Sequence, residues 1–193
     1  MSEPADEHLL DTLFGTLIRP RKTFAEFAGQ RSARPGATAI AVLGMFWGLF
    51  SFLLWSSGRS PHAVLLPVPP QHYYLFQGLV MLPLLTALWW LYSEVSHRLA
   101  GGTPEAGTRA ALGFAYAVPM TVHIGVEMLA YLLLGFDELA LVAMISLPLA
   151  SLWVWALSSL ALRELHHTPW PRAIAAAFAG LLVQAVSGSL ILR

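Results

Sequence analysis

The sequence predicts an all-α membrane protein: five transmembrane helices preceded by an amphipathic helix at the membrane interface. Hydrophobic residues make up 56% of the 193 residues and charged residues only 11%, whereas soluble domains carry about 25% charged residues. Five apolar stretches, separated by short polar segments, fill the chain from Gly36 onward. Each is long enough to cross the hydrocarbon core, which takes about 20 apolar residues per helix.

We divide the chain into an N-terminal cytosolic or interfacial segment, residues 1–35, and a membrane domain, residues 36–193. Glycine, proline and polar residues mark the breaks between the spans. The predicted spans are 37–57, 72–98, 107–134, 139–163 and 171–192. Acidic residues precede the first span, whereas a cleavable signal peptide begins with basic ones. We therefore expect the first span to act as an uncleaved anchor.

The N-terminal segment contains the predicted amphipathic helix. Six apolar residues recur on one face at helical spacing: Leu9, Leu10, Leu13, Phe14, Leu17 and Ile18. Pro20 then interrupts the helix, and Arg21 and Lys22 add positive charge beside it. A one-sided helix with basic neighbours suits the lipid headgroup layer. Packing on the cytosolic ends of the bundle is the alternative, and the two are compatible.

The distribution of basic residues predicts the orientation. With a cytosolic N-terminus, one side of the membrane receives nine basic residues: Arg19, Arg21, Lys22, Arg31, Arg34, Arg98, Arg109, Arg163 and Arg172. The opposite side receives Arg59 and Arg193. Because short cytosolic loops are enriched in Lys and Arg, we expect the N-terminus inside and the C-terminus outside.

Ionisable residues within the spans are the candidates for chemistry, because a charge in hydrocarbon costs at least ~2.5–3.5 kcal/mol. His123 and Glu127 are four residues apart in the third span, so they share a helix face and can hydrogen-bond each other. Tyr116 and Tyr131 extend this stripe. His123 lies ~24 Å into its span at 1.5 Å per residue, in the outer half of the bilayer. The stripe is either a proton or cation relay or a satisfied buried pair.

A second polar cluster is predicted at the cytosolic end of the second span. Glu94 and His97 lie there, level with Arg98 and Arg109, and a structural ion pair is the expected content.

Carboxylate-bridged metal sites need Glu-x-x-His on two helices, and here the pattern occurs once, so no metal or cofactor is expected. No constellation of catalytic residues is present either, and His166 is expected to lie at the interface without a partner.

Small residues and prolines predict how the helices pack. The last span presents a face of small residues, which lets a neighbouring backbone approach closely: Ala173, Ala176, Ala177, Gly180 and Gly188. This face packs within the chain or forms a dimer interface. Prolines fall near the middle of three spans, at Pro83, Pro119 and Pro148, and predict either a bent bundle or a cavity with movable halves.

The order of several motifs resembles a known family. The segment Arg19-Pro20-Arg21-Lys22-Thr23-Phe24 precedes the first span, His97-Arg98-Leu99 ends the second, and Gly101-Gly102-Thr103 follows it. Arg109-Ala110-Ala111-Leu112-Gly113-Phe114-Ala115-Tyr116-Ala117-Val118-Pro119 opens the third span, and Trp170-Pro171-Arg172-Ala173-Ile174 leads the last. Over nearly the whole chain, this order resembles the prokaryotic branch of the Yip family, the Ypt/Rab-interacting membrane proteins.

The resemblance implies five spans with a cytosolic N-terminus. Eukaryotic members are scaffolds of early secretory traffic that contact Rab GTPases, but the long N-terminal region and the Asp-Leu-Tyr-Gly-Pro motif of those members are not found here, which argues against a GTPase partner. A composition rich in Ala, Arg and Trp, with Lys22 as the single lysine, suggests a bacterial inner membrane.

Three functions remain open from the sequence. The first is a non-enzymatic scaffold or accessory subunit that binds lipid, a partner membrane protein or a second copy. The second is a small transporter or channel that uses the pair His123 and Glu127. An intramembrane enzyme is the third. The formal net charge of zero gives no electrostatic reason to expect a nucleic-acid partner.

Overall fold

The computed structural model describes residues 5–61, 67–102 and 106–192, with the backbone alone for 5–8 and 189–192. The helices are α1 (Ala5–Ile18), α2 (Pro20–Ala25), α3 (Arg34–Ser56), α4 (Tyr73–Ala100), α5 (Ala106–Leu134), α6 (Leu139–His166) and α7 (Trp170–Leu192), and one 3-10 turn (Pro70–His72) precedes α4. Residues 1–4 of the predicted N-terminal segment, Thr103 of the quoted motif and Arg193 lie outside the described residues.

Five helices, α3 to α7, are long and apolar enough to cross a membrane, which confirms the predicted all-α class with five spans. Their ends fall within three residues of the predicted span ends. Pro83, Pro119 and Pro148 lie inside continuous helices. Membrane helices tolerate such prolines where neighbouring groups satisfy the freed carbonyl.

The five membrane helices form a closed ring in the order α3, α4, α7, α6, α5. Across this ring, α4 also contacts α5 and α6, so it touches every other membrane helix. Nearly every residue from Gly107 to Met120 on α5 is buried. A helix that is apolar on all sides belongs in an interior, and the first half of α5 is enclosed accordingly.

The N-terminal segment packs on one end of the bundle, here called the N-terminal end. Phe24 is fully buried, and the ring of Phe27 lies 5.6 Å from the ring of Phe114 on α5. Nε of Arg21 donates to Oε1 of Glu164 on α6 at 2.7 Å. The segment is therefore a fixed part of the bundle rather than a tether.

The predicted apolar face of α1 divides into two parts. Leu9 and Leu13 are partly buried against the bundle core, whereas the other four side chains point away from it. We call these four the α1 stripe: Leu10, Phe14, Leu17 and Ile18, with exposed fractions of 42% to 72%. The segment therefore packs on the bundle and also keeps an apolar face exposed.

Glycines allow α3 and α5 to approach backbone to backbone. A Cβ atom at Gly36 would lie 2.6 Å from the Cα of Ala110, and one at Gly113 would lie 2.6 Å from the Cα of Gly36. Real Cβ atoms do not approach a backbone this closely, so a side chain at either position would push the helices apart. Small residues at such crossings are typical of membrane bundles, where helix association depends on close packing.

The end of α4 is capped by its own chain reversal and by the turn between α6 and α7. Gly101 adopts φ of 90°, and its N–H and that of Gly102 donate to the carbonyls of Arg98 and His97, which is the Schellman arrangement. Arg172 then donates to the carbonyl of Leu99 at 3.0 Å, and Thr168 donates to that of Ala100 at 3.2 Å. The carbonyls that every helix end leaves open are satisfied here by α4 and by the α6–α7 turn.

We predict that Gly113→Ala destabilises the bundle, because overpacking a close contact costs about 1–3 kcal/mol. The matched control is Gly125→Ala on the same helix, where a Cβ atom meets nothing within 4 Å and alanine favours the helix by about 0.5–1 kcal/mol. The measurement is thermal unfolding in mild detergent, followed by the fluorescence of the seven tryptophans. Equal unfolding temperatures for the two variants would contradict the close α3–α5 contact.

Candidate functional site

The first polar cluster is centred on Glu94, a buried carboxylate of α4 near the N-terminal end. Its Oε1 accepts a hydrogen bond from Arg98 and its Oε2 accepts one from Arg109, each at 2.7 Å. Arg109 belongs to α5 and also lies over the ring of Trp90, 5.8 Å from the ring centroid. Because both carboxylate oxygens are paired, Glu94 can stay charged while buried, and it joins α4 to α5.

His97 does not join this carboxylate, and the prediction of one cluster of four residues is wrong in that respect. Nδ1 of His97 lies 3.3 Å from Nε2 of His166 on α6, and Oγ1 of Thr108 lies 3.1 Å from the same Nε2. The expectation that His166 lacks a partner is also wrong. The reason is that α4 contacts α6 across the ring, which brings the ends of α4, α5 and α6 together.

The second cluster lies toward the opposite end of the bundle, here called the distal end. Nε2 of His123 is 3.5 Å from Oε1 of Glu127, and the two side chains are 3% and 15% exposed. The indole of Trp47 on α3 packs edge-on against the imidazole, with ring centroids 6.4 Å apart. Nδ1 of His123 lies 2.9 Å from Oγ of Ser146 on α6.

Ser146 determines which ring nitrogen of His123 carries a hydrogen. Its hydroxyl donates to the carbonyl of Val142 at 2.8 Å, so its oxygen is left to accept a hydrogen from Nδ1 of His123. Nε2 then faces Glu127, with 3.5 Å between Nε2 and Oε1. Both ring nitrogens of His123 thus have a polar neighbour, which lowers the cost of placing the imidazole in hydrocarbon.

Sequence reasoning missed Ser146, although the chain contained a signal for it. Leu134 and Leu139 flank the short turn between α5 and α6. At 1.5 Å per residue, His123 lies ~16 Å before this turn and Ser146 ~10 Å after it. The two are thus within about one helical turn of the same level, and counting through this hairpin would have paired them.

Tyr116 and Tyr131 do not join the pair in one continuous polar stripe. The ring of Tyr116 packs against that of Tyr92 on α4 at 6.2 Å, and its hydroxyl lies beside Gln184 of α7. The ring of Tyr131 packs against Phe50 of α3 at 6.2 Å. Successive turns of α5 face different neighbouring helices, so residues that share a face in sequence have separate surroundings.

A further polar contact at membrane depth has no charged member and was missed for that reason. The hydroxyl of Tyr92 donates to Oγ of Ser158 on α6. Ser158 in turn donates to the carbonyl of Val154 at 2.6 Å. Both side chains are fully buried, so this bond ties α4 to α6 inside the bundle.

The small-residue face of α7 packs on α4 of the same chain. Ala173, Ala176 and Ala177 are buried, and a Cβ atom at Gly180 would lie 3.0 Å from the carbonyl oxygen of Tyr92. At Gly188, the corresponding distance to the nearest atom, on Leu88, is 3.5 Å. In this arrangement α4 occupies the face, so it is closed to a second copy.

Within the described ranges, no group of three or more histidine, aspartate or glutamate side chains could hold a metal ion. His97 with His166 and His123 with Glu127 are pairs, each with a hydroxyl as third neighbour. Each of these two sites connects α6 to another helix, the first to α4 and the second to α5.

We predict that Arg109→Gln lowers the free energy of unfolding more than Arg98→Gln does. Both guanidiniums lie 2.7 Å from Glu94, but their side chains are 27% and 73% exposed. Exposed ion pairs contribute about 0–1 kcal/mol, whereas breaking a fully buried pair costs about 3–5 kcal/mol, so the Arg109 variant should fall between these limits. Denaturant titration in mixed micelles measures the difference, and equal losses would contradict the role of Arg109 as the inter-helix partner.

Comparison with known protein families matches the Yip1 domain to residues 14–191. The match runs from the second half of α1 to the last turn of α7 and includes all five membrane helices. Searches of curated proteins and of solved structures gave no match. With the five apolar helices and the family match over nearly its whole length, this chain belongs to the Yip1-domain family of membrane proteins.

Proposed function

We propose that this protein is a non-enzymatic membrane scaffold or accessory subunit that binds lipid and a partner membrane protein. The observation that supports this best is the filling of the bundle between its two polar clusters. Buried apolar side chains occupy this region, and we call them the apolar plug: Ile40, Leu43, Met81, Leu85, Leu112 and Met120. Close-packed apolar side chains of this kind oppose the passage of an ion or a polar substrate.

The polar contacts themselves fit a structural role. Glu94 joins α4 to α5, His97 joins α4 to α6, and His123 joins α5 to α6 through Ser146. Hydrogen bonds between membrane helices contribute roughly 0.6–2 kcal/mol each. Each contact has a partner on a neighbouring helix, and a shape held in this way suits a protein whose task is to present surfaces.

We assign the binding surface to the α1 stripe and the basic residues that follow it. The four side chains of the stripe are exposed, Ile18 most of all at 72%. Arg19, Arg21 and Lys22 are exposed directly after it. An apolar face beside basic residues suits a headgroup layer that contains anionic lipid, and a partner membrane protein would meet the same surface.

We infer that the N-terminal end faces the cytosol of a bacterial inner membrane. In the antiparallel order of the helices, the nine basic residues predicted for the cytosolic side belong to this end, from Arg19 in the N-terminal segment to Arg172 at the start of α7. Arg59 follows α3 at the distal end. This asymmetry supports the orientation through the enrichment of basic residues in short cytosolic loops.

A small transporter or channel is the second candidate. One observation favours it: Glu127 lines a cavity of about 370 Å³ near the distal end, so water can approach this carboxylate. The apolar plug lies between this cavity and the cluster of Glu94 at the other end, which favours the scaffold over the transporter.

We predict that the purified protein, reconstituted in liposomes with a trapped pH-sensitive dye, carries no proton or cation flux above that of empty liposomes. The physical reason is the apolar plug. A flux in the wild-type protein that Glu127→Gln abolishes would overturn the scaffold and support the transporter.

We predict that Ile18→Ser reduces the recovery of a partner in native co-purification with mild detergent, whereas Leu133→Ser leaves it unchanged. Both side chains are 72% exposed, but Leu133 lies at the distal end of α5, away from the α1 stripe. Quantitative mass spectrometry of the co-purified proteins measures the effect. A wild-type protein that is monomeric and recovers no reproducible partner would contradict the scaffold proposal.

A further inference from the structure

The cavity at the distal end has an unusual lining for its size. Its volume is about 370 Å³, and five aromatic side chains line it: Trp47, Phe50, Tyr73, Tyr74 and Phe136. Two carboxylates, Glu127 and Asp137, line it as well. We call this the distal cavity. Ligand pockets for drug-sized molecules span about 300–1,000 Å³, so the distal cavity has room for a headgroup or a small molecule and not for a whole lipid.

The aromatic part of the distal cavity is held in place by contacts between its rings. Tyr73 and Tyr74 lie edge to face with centroids 5.4 Å apart, and Tyr74 and Phe136 do the same at 6.2 Å. These rings come from the start of α4 and from the turn between α5 and α6. A site whose walls are already ordered loses little entropy when it binds a ligand.

The carboxyl groups of Glu127 and Asp137 make the lining of the distal cavity acidic. Oε1 of Glu127 lies 3.5 Å from Nε2 of His123, and the side chain of Glu127 is 15% exposed, so its carboxyl group reaches the cavity from the interior. Asp137 is exposed at the other wall. The carboxyl groups favour a cation over an anion inside the cavity, and a purely apolar ligand would offer Glu127 no polar contact beyond His123.

We propose that the distal cavity binds an ammonium group, primary or quaternary. Cations of this kind are attracted to the faces of Trp, Tyr and Phe rings, and aromatic cages are the usual means of recognising quaternary ammonium. The carboxylate of Glu127 supplies the opposite charge. Mg²⁺ and Ca²⁺ need six or more oxygen ligands, whereas rings dominate this lining, so the chemistry matches an organic cation better than a metal ion.

The position of the distal cavity favours a lipid headgroup as the source of this ammonium. Glu127 lies seven residues before the end of α5, or ~10 Å at 1.5 Å per residue, and Tyr73 begins α4. The cavity therefore lies near the helix ends, at the level where interfacial aromatic residues meet headgroups.

Arg59 provides a partner for the phosphate of such a lipid. Its guanidinium lies over the ring of Phe136, 5.6 Å from the ring centroid, beside the cavity, and it is exposed. A zwitterionic phospholipid would thus place its ammonium among the rings and its phosphate against Arg59. A free amine would use the ring cage and Glu127 alone.

The test uses the full-length protein in mild non-ionic detergent and native mass spectrometry. The probes are phosphatidylethanolamine, phosphatidylglycerol with the same acyl chains, and tetramethylammonium as a competitor. We expect one phosphatidylethanolamine to bind at least tenfold more tightly than phosphatidylglycerol, and tetramethylammonium to displace it. Glu127→Gln should weaken this binding at least tenfold, and Arg59→Gln should weaken the binding of the lipid but not that of tetramethylammonium.

Two controls separate recognition from folding. Glu164→Gln changes a carboxylate of similar exposure at the other end, 18% against 15% for Glu127, and should leave both probes unaffected. Tyr74→Phe keeps the ring and should bind, whereas Tyr74→Leu removes it and should not, with both variants unfolding at the wild-type temperature.

Each outcome of this test decides between named possibilities. Binding of tetramethylammonium that depends on Glu127, without preference for phosphatidylethanolamine, supports the ammonium site and assigns it to a free amine. Equal binding of both probes by the wild type and Glu127→Gln overturns the site. The site and the scaffold proposal are independent, because co-purification at the α1 stripe is measured at the opposite end.

Discussion

Hydrocarbon gives a peptide group or a polar side chain no hydrogen-bonding partner, and this constraint organises the whole molecule. The backbone satisfies its own hydrogen-bonding groups by forming continuous helices. Several polar side chains pair across helix contacts, as Glu94 does with Arg109 and His123 does with Ser146. At the end of α4, Thr168 and Arg172 donate hydrogen bonds to the last carbonyls. These polar contacts therefore connect the helices to one another.

The two ends of the bundle differ in the side chains that meet there. At the N-terminal end, ion pairs, paired histidines and the docked α1–α2 segment bring the helices together around α5. At the distal end, the rings around Tyr74 and the carboxylate of Glu127 surround a cavity. The N-terminal end also carries a cavity, of about 540 Å³, between the α1–α2 segment, α3 and α5, so the two ends differ in the chemistry of their linings and not in whether they are hollow.

Sequence reasoning succeeded for the spans and for the level of Glu94 against Arg109, but it missed Ser146, which lies across one short turn from His123. The length of each apolar run predicted a span because the bilayer has a fixed thickness, and Glu94 could be placed level with Arg109 by counting through the α4–α5 turn. The contact of His97 with His166 could not be predicted, because it depends on the mutual rotation of two helices that are not neighbours in sequence. The aromatic lining of the distal cavity could not be predicted for the same reason, because the residues around the cavity come from four different helices.

An odd number of membrane crossings is the central claim, and single-cysteine labelling with a membrane-impermeant maleimide tests it most directly, because the chain contains no cysteine. The positions are Ala28 in the N-terminal segment, His167 in the α6–α7 turn and Asp137 in the α5–α6 turn, all exposed. We expect Ala28→Cys and His167→Cys to react from one face of the membrane and Asp137→Cys to react from the other. Labelling of Ala28→Cys and Asp137→Cys from the same face would contradict the five-helix arrangement.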